Sequence, residues 1–184
     1  MAPQQHLVMS WVLSNLGYES RRDRIVITLC GIIPDIDGAG IVIDKITGDE
    51  LYSNYLLWHR TFGHNIFTFL ALIAATFFIC GRKIRPCLVT AVVLFFHFLT
   101  DIVGSAGPDS DIWPLYPFWP ISNYELSVPW QWALNDWKNV AITAMCVLIM
   151  IIIAAKKRRS LLEIVSVRAD HYCIDLIKNI LYKK

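Results

Sequence analysis

Hydrophobic residues in this chain form separate runs, and a short charged or polar turn closes each run. Three runs are strong, at residues 66–80, 86–103 and 139–155. Two earlier runs, at 7–16 and 25–33, are too short to cross a bilayer core of ~30 Å, which takes ~20 helical residues. The pattern predicts an all-α, polytopic membrane helix bundle with a short N-terminal helical hairpin and three longer spans.

The segments between and after these runs are more polar. Residues 38–58 mix glycines with acids and predict a loop that has room for one short helix. Residues 104–136 are rich in proline and tryptophan, which is typical of a loop at the membrane interface. A C-terminal amphipathic helix follows the last span. We therefore predict a membrane-embedded domain at 1–155 and an amphipathic cytoplasmic tail at 156–184.

Composition supports a membrane location. The chain is 55% hydrophobic and only 17% charged, whereas soluble domains are about 25% charged. The five cysteines have no CxxC spacing and stand in or beside apolar runs, which indicates free thiols rather than a disulfide framework. We expect membrane lipid as the partner and no nucleic acid, and the oligomeric state stays open.

Charge gives an orientation. Ten of the seventeen basic residues stand in three clusters, at 21–24, 82–85 and 156–159. The positive-inside rule places all three clusters on the cytoplasmic side. The tail is then cytoplasmic, and the opposite ends of the hydrophobic segments face the non-cytoplasmic side.

Histidine and aspartate residues gather at those opposite ends. His97 and Asp101 are four residues apart and so share one face of a helix. Ionisable groups at this depth are costly and usually face a partner or a cavity. Seven residues are candidates on this basis: His6, Asp35, Asp37, His59, His64, His97 and Asp101.

Imidazole and carboxylate together are ligands that suit zinc, with manganese or iron as alternatives. Seven candidates exceed the three or four ligands that one catalytic zinc needs, so the set predicts either two ions or one ion with orienting neighbours. Each residue also has a simpler interpretation. His97 could bond a backbone carbonyl, His6 could lie on the surface, and Asp35 and Asp37 could be turn residues.

The order of these motifs resembles the YdjM family of bacterial inner-membrane proteins, which are described as metal-dependent hydrolases. The resemblance covers about residues 5–120, and Asn65 stands where the family commonly has serine. It implies all seven candidates as metal ligands. A more distant similarity, in ligand type and order only, is to zinc-dependent phospholipases C and single-strand nucleases. The matching motifs are Gln5-His6-Leu7, Pro34-Asp35-Ile36-Asp37, His59-Arg60-Thr61-Phe62-Gly63-His64, His97-Phe98-Leu99-Thr100-Asp101, Gly107 and Trp113-Pro114.

The sequence and the resemblance together predict a membrane-embedded hydrolase that uses a metal-activated water on a phosphoester or ester of a lipid or lipid-linked substrate. Asp35 or Asp37 would act as general base, and Arg60 would bind an anionic group of the substrate. Two other interpretations stay open. The same cluster could serve a metal-ion or proton transporter, or hold a structural metal in a non-catalytic membrane scaffold.

Overall fold

The computed structural model describes residues 1–17, 20–50, 53–107 and 111–181. Pro108 of the predicted interfacial loop and the last three residues of the predicted tail lie outside them. Within the described residues every regular secondary-structure element is a helix, and two isolated β-bridges lie in the long irregular stretch between residues 104 and 137. This confirms the all-α prediction. The α-helices are α1 Pro3–Ser14, α2 Arg21–Cys30, α3 Gly40–Thr47, α4 Ser53–Trp58, α5 Ile66–Ile79, α6 Ile84–Gly104, α7 Trp137–Lys157 and α8 Val167–Leu181, with 3₁₀-helices at Ile33–Ala39 and Leu161–Ile164.

Two helices in the described chain are long and apolar enough to cross a membrane, namely α6 and α7, with 21 residues each. The bent pair formed by α2 and the segment from Ile33 to Thr47, with a 41° angle between its parts, would make a third span. α5 was predicted as a long span, but its 14 residues reach only ~21 Å. The structure therefore supports two or three spans.

The core of the bundle forms where α1 packs between α2, α6 and α7. Trp11 of α1 is fully buried, and Met9 and Val12 beside it pack against Cys146 and Ile153 of α7. The short N-terminal helices are therefore buried against the longer ones. Such packing explains how a helix of 12 residues is stable, since helices of that length are marginal on their own.

Small hydroxyl side chains lie inside the bundle, toward the basic end. Ser14, Thr28, Thr76 and Thr90 have no exposed surface. Three of them donate to a carbonyl of their own helix: Ser14 to Trp11 at 2.8 Å, Thr28 to Arg24 at 2.7 Å and Thr76 to Leu72 at 2.9 Å. These hydrogen bonds offset the cost of burying the hydroxyls, and the small side chains let the helices approach closely.

The three basic clusters lie at one end of the bundle. Lys83 pairs with Asp23 at 2.9 Å, and Lys157 donates to the carbonyl of Asn15 at 2.6 Å. His97 lies 14 residues further along α6 than Lys83, so ~21 Å of helix separates this basic end from the predicted histidine and aspartate cluster.

A buried ion pair fixes the tail to the basic end. Glu163 is 1% exposed. Its carboxylate accepts hydrogen bonds from Trp11 Nε1 at 3.0 Å and Arg24 Nε at 2.8 Å, and it contacts a second nitrogen of Arg24. The α8 helix then packs through buried Asp170 and Ile174, while Leu176 and other apolar side chains stay exposed.

Residues 38–58 differ from the predicted loop, because they contain two short helices rather than one at most. Asp44 of α3 is fully buried and accepts from the backbone N–H groups of Asn54 at 3.0 Å and Tyr55 at 2.8 Å. A carboxylate is stabilised at a helix N-terminus, so Asp44 joins α3 to α4. Gly48 adopts φ 73° and ends α3.

Removal of the Glu163 carboxylate should destabilise the fold. We expect Glu163→Ala to lower the free energy of unfolding by ~3–5 kcal/mol, because it leaves the charge of Arg24 without its buried carboxylate partner. Chemical unfolding of detergent-purified protein, followed by circular dichroism, measures this loss. The control is Asp175→Ala, since Asp175 is 73% exposed and lies 3.9 Å from Lys178; it should change stability by less than ~1 kcal/mol. Equal stability of the two variants would contradict the role of Glu163.

Candidate metal centre

His97 and Asp101 form one wall of a buried site on α6, as their spacing predicts. They are 0% and 3% exposed, and His97 Nε2 lies 3.3 Å from Asp101 Oδ2. His97 Nδ1 lies 2.9 Å from the carbonyl oxygen of Gly31. Because a carbonyl can only accept, Nδ1 carries the proton and Nε2 presents a lone pair to the site. The simpler interpretation of His97 therefore holds for one ring nitrogen and leaves the other available to a metal.

His64 supplies the facing wall. Its Nδ1 lies 2.8 Å from Asp37 Oδ2, while its Nε2 lies 3.0 Å from Asp101 Oδ2 and 3.1 Å from His97 Nε2. Asn65 caps α5 by accepting from the N–H of Thr68 at 2.9 Å, so His64 stands just before the helix and its ring can turn toward α6.

Two imidazole nitrogens and one carboxylate oxygen thus converge, and each of the three atoms can offer a lone pair once the histidines are neutral. The three atoms are 3.0, 3.1 and 3.3 Å apart. Metal bonds of ~2.0–2.1 Å in a tetrahedron place ligand atoms ~3.3–3.4 Å apart. Asp35 Oδ1 adds a fourth corner, at 3.7 and 3.8 Å from the two nitrogens. These residues fit a divalent metal ion.

His6 approaches the second oxygen of Asp101. Its Nε2 lies 3.1 Å from Asp101 Oδ1, an oxygen that the amino group of Met1 also contacts. The ring of His6 stacks on His97 with 3.8 Å between centroids. Ligand atoms of His6, Asp35, His97 and Asp101 all lie within 4.8 Å of one another. Asp101 therefore has one oxygen facing His64 and His97 and the other facing His6, a geometry that suits either one ion or two ions bridged by a carboxylate.

Asp37 lies behind His64. Its Oδ2 accepts from His64 Nδ1 and from the backbone N–H groups of Arg60 at 2.9 Å and Gly63 at 3.2 Å. A carboxylate that holds the outer nitrogen of a ligating histidine fixes the orientation and tautomer of the ring. The structure thus gives Asp37 the contacts of an orienting group.

His59 also lies outside the converging group. Its Nδ1 is 3.4 Å from Asp37 Oδ1, and its Nε2 accepts from Arg60 Nε at 3.3 Å. Of the seven predicted residues, the structure therefore brings five together and places two in the next layer. The five are His6, Asp35, His64, His97 and Asp101.

Charge at His64 depends on its two carboxylate neighbours. Burial disfavours the imidazolium, but the hydrogen bonds that His64 donates to Asp101 and Asp37 outweigh burial and raise the pKa of His64 to about 9. An ion that binds at Nε2 must therefore displace a proton, so metal binding should weaken as the pH falls. Burial lowers the pKa of His59, although Asp37 opposes this shift.

Arg60 fixes the loop beside the site. It is 4% exposed and adopts a left-handed φ of 67°, which is uncommon for a residue with a side chain. Its guanidinium donates to the carbonyl of Ser105 at 3.0 Å and contacts the Ser105 hydroxyl and the carbonyl of Trp113. These contacts tie three segments together. The predicted contact of Arg60 with an anionic substrate stays a prediction.

A cavity of about 270 Å³ opens beside the converging atoms, and we call it the polar cavity because ionisable side chains line part of it. It reaches two of the five, Asp35 and Asp101, and also borders His59 and Arg60. A small polar group could therefore come into contact with the site without unfolding any element.

Sequence reasoning missed the glycines that allow this geometry. A Cβ on Gly31 would lie 1.9 Å from Ser10 Oγ, and a Cβ on Gly63 would lie 1.9 Å from the carbonyl oxygen of Pro34. Gly63 lies inside the motif with the two histidines, so its position was a usable signal. Gly31 gives none, because its carbonyl meets His97 across 66 residues of chain.

Substitution of a converging residue should remove the metal. We expect His97→Ala and Asp101→Asn to weaken zinc binding by more than ~100-fold, since each loses an atom at the point of convergence. Elemental analysis and competition with a chelator on detergent-purified protein measure the change. His171→Ala is the matched control, because His171 is exposed on α8. Equal zinc content in His97→Ala and His171→Ala would contradict the assignment.

Loss of the orienting carboxylate should have a smaller effect. We expect Asp37→Asn to weaken zinc binding by ~10–100-fold, because the amide cannot hold the His64 Nδ1 proton as a carboxylate does. The same chelator competition measures it, with Asp175→Asn as the exposed control. A loss as complete as that of Asp101→Asn would instead indicate that Asp37 is itself a ligand.

Comparison with known proteins gives one match. The family model described as YdjM inner membrane protein matches residues 1–176, beyond the region in which the motifs lie. No curated protein and no solved structure shows significant similarity to the chain. The family match covers nearly the whole chain and agrees with its membrane-length helices, so the chain belongs to the YdjM family of inner membrane proteins.

Proposed function

We propose that this protein is a membrane-embedded, metal-dependent hydrolase that cleaves a phosphoester or ester of a lipid or lipid-linked substrate. The observation that carries the proposal is the convergence of His64, His97 and Asp101 beside a polar cavity. A divalent ion, with zinc favoured by the ligand types and manganese or iron as alternatives, would supply a Lewis acid that acidifies water and stabilises developing negative charge.

Asp35 is the residue best placed to accept a proton. It lines the polar cavity, and its buried Oδ2 has no hydrogen-bond partner among the described residues. Asp37, the other predicted general base, has three donors on Oδ2. Its Oδ1 faces His59 Nδ1 at 3.4 Å, and Asp37 is not among the described residues that line the polar cavity. A general base needs a free oxygen within reach of the proton that it takes, so the geometry favours Asp35.

The orientation in the membrane is part of the proposal. The gathering of three basic turns at one end supports a cytoplasmic location for that end and for the tail. The metal centre would then face the non-cytoplasmic side of a bacterial inner membrane. A substrate would reach it from that leaflet.

The alternative function is transport of a metal ion or proton, and the buried hydroxyl groups argue against it. A path for an ion or proton from the metal centre would pass Ser14, Thr28 and Thr76, which lie toward the basic end. The proton of each hydroxyl is donated to a carbonyl of its own helix, which counts against a proton relay through them. Uptake of zinc into proteoliposomes would nevertheless favour transport over hydrolysis.

Hydrolysis can be tested on purified protein in lipid nanodiscs with a panel of phospholipids and phosphoesters. We expect turnover that EDTA abolishes and zinc restores. Asp35→Asn should reduce kcat by ~10²–10⁴-fold, the usual contribution of a general base. The control, Asp175→Asn, should keep full turnover.

Metal content decides how the result is interpreted. Wild-type protein that holds zinc but cleaves nothing on the panel would contradict the hydrolase proposal. Loss of zinc in Asp35→Asn would show that Asp35 acts as a ligand rather than as a base.

A further inference from the structure

The 3₁₀-helix Ile33–Ala39 has three distinct faces. A 3₁₀-helix has three residues per turn, so residues three apart lie above one another. Ile33, Ile36 and Ala39 are exposed, whereas Pro34 and Asp37 are buried. The remaining face carries the half-buried Asp35 and Gly38. One short helix thus presents an apolar stripe on one side and a ligand-type carboxylate on another.

Each of these sides borders a different cavity. The apolar stripe lines a groove of about 470 Å³ together with Trp58 and Phe62. Asp35 and Gly38 line the polar cavity with His59 and Arg60. The 3₁₀-helix and the segment 58–63 therefore form a wall, with apolar side chains on one surface and polar side chains on the other.

The groove is in direct contact with the residues that orient the metal centre. Asp37 and Gly63 both line it, and both belong to the hydrogen-bond group that holds His64. The aromatic side of the groove is held by ring packing. The ring of Phe62 packs edge-on against Trp58, at 6.2 Å between centroids, and against Trp119, at 4.5 Å. A ligand in the groove would meet a preformed surface.

We propose that this groove binds an acyl chain of a membrane lipid. The polar part of the same lipid would then reach the polar cavity on the other side of the wall. The lining is almost wholly apolar, and the volume falls within the ~300–1,000 Å³ of ligand pockets. The inference that this lipid is then cleaved rests on the proposed function, whereas binding of the chain does not.

The source of the lipid follows from what adjoins the groove. Thr68 of α5 lines the groove, and the residues around it in the same helix, Ile66, Phe67 and Leu70, are apolar and exposed. In an inner membrane protein such a surface faces acyl chains. A lipid could therefore slide from the bilayer into the groove without exposing its chain to water.

Photolabelling tests the binding step directly. The probe is a phospholipid with a diazirine in its acyl chain, present at trace level in nanodiscs that hold the full-length wild-type protein. Mass spectrometry then locates the labelled residues. We expect label in the segment 58–63 and at Ile36, above the level found on exposed residues of α6 such as Leu88 and Phe95.

Two substitutions fill the groove, and one does not. Ile36→Trp and Ala39→Trp each place a large ring in it and should lower labelling of the segment 58–63 by roughly tenfold, the effect of leaving about two methylene groups unburied. Ile46→Trp is the control, because Ile46 is 79% exposed on α3 and does not line the groove. It should leave labelling unchanged.

The outcomes separate the two proposals. Equal labelling of segment 58–63 in Ala39→Trp, Ile36→Trp and Ile46→Trp would overturn the acyl site and show only bulk lipid. Specific labelling with no hydrolysis of any substrate would leave the acyl site standing and contradict the hydrolase. Cleavage of a short-chain soluble ester with no specific labelling would support the hydrolase and contradict the acyl site.

Discussion

The convergence of two imidazole nitrogens and one carboxylate oxygen is the constraint on which the site end of this protein depends. The outer nitrogen of His97 is held by the carbonyl of Gly31, and that of His64 by Asp37. Both rings must therefore direct their inner nitrogens at Asp101. Buried acceptors that face one another are costly unless a proton or an ion lies between them. An ion at this point would stabilise three helices and a loop at once.

The opposite end depends on a second buried charge pair. Arg24 and Glu163 join α2 to the tail, and Trp11 adds a hydrogen bond from α1. The helices held there are the ones that present the site, since α1 also carries His6 and α2 leads directly to Gly31. Between the two ends, hydroxyls bond to their own helices and apolar side chains pack. Rigid helices with both ends fixed keep the ligand atoms in place.

The 3₁₀-helix after α2 lies between the polar cavity and the apolar groove. An α-helix there would distribute its side chains over a period of 3.6 and would mix apolar and polar residues around its axis. The three-residue period keeps Ile33, Ile36 and Ala39 on one surface and Asp35 on another. The same turn can therefore present a carboxylate to the metal centre and an apolar stripe to lipid. This two-sided wall supports the proposal that the protein binds an amphiphilic lipid.

The sequence by itself determined the helical class, the membrane setting and the gathering of basic turns at one end, and it nominated the seven candidate ligands. Hydrophobic runs and charge clusters act locally, and a spacing of four residues already places His97 and Asp101 on one face. The prediction of α5 as a long span was wrong. The second short helix was missed, because Asp44 caps α4 across a turn that no local sequence pattern indicates.

Only the tertiary structure decided which residues converge. His59 and His64 stand five residues apart in one motif, yet one ring points at Asp101 and the other lies against Arg60 and Tyr55. Gly31 matters only because His97 reaches it from a distant helix. Ring orientation depends on partners that are far away in the chain. Sequence spacing can therefore identify a candidate ligand, but it cannot predict which way its ring points.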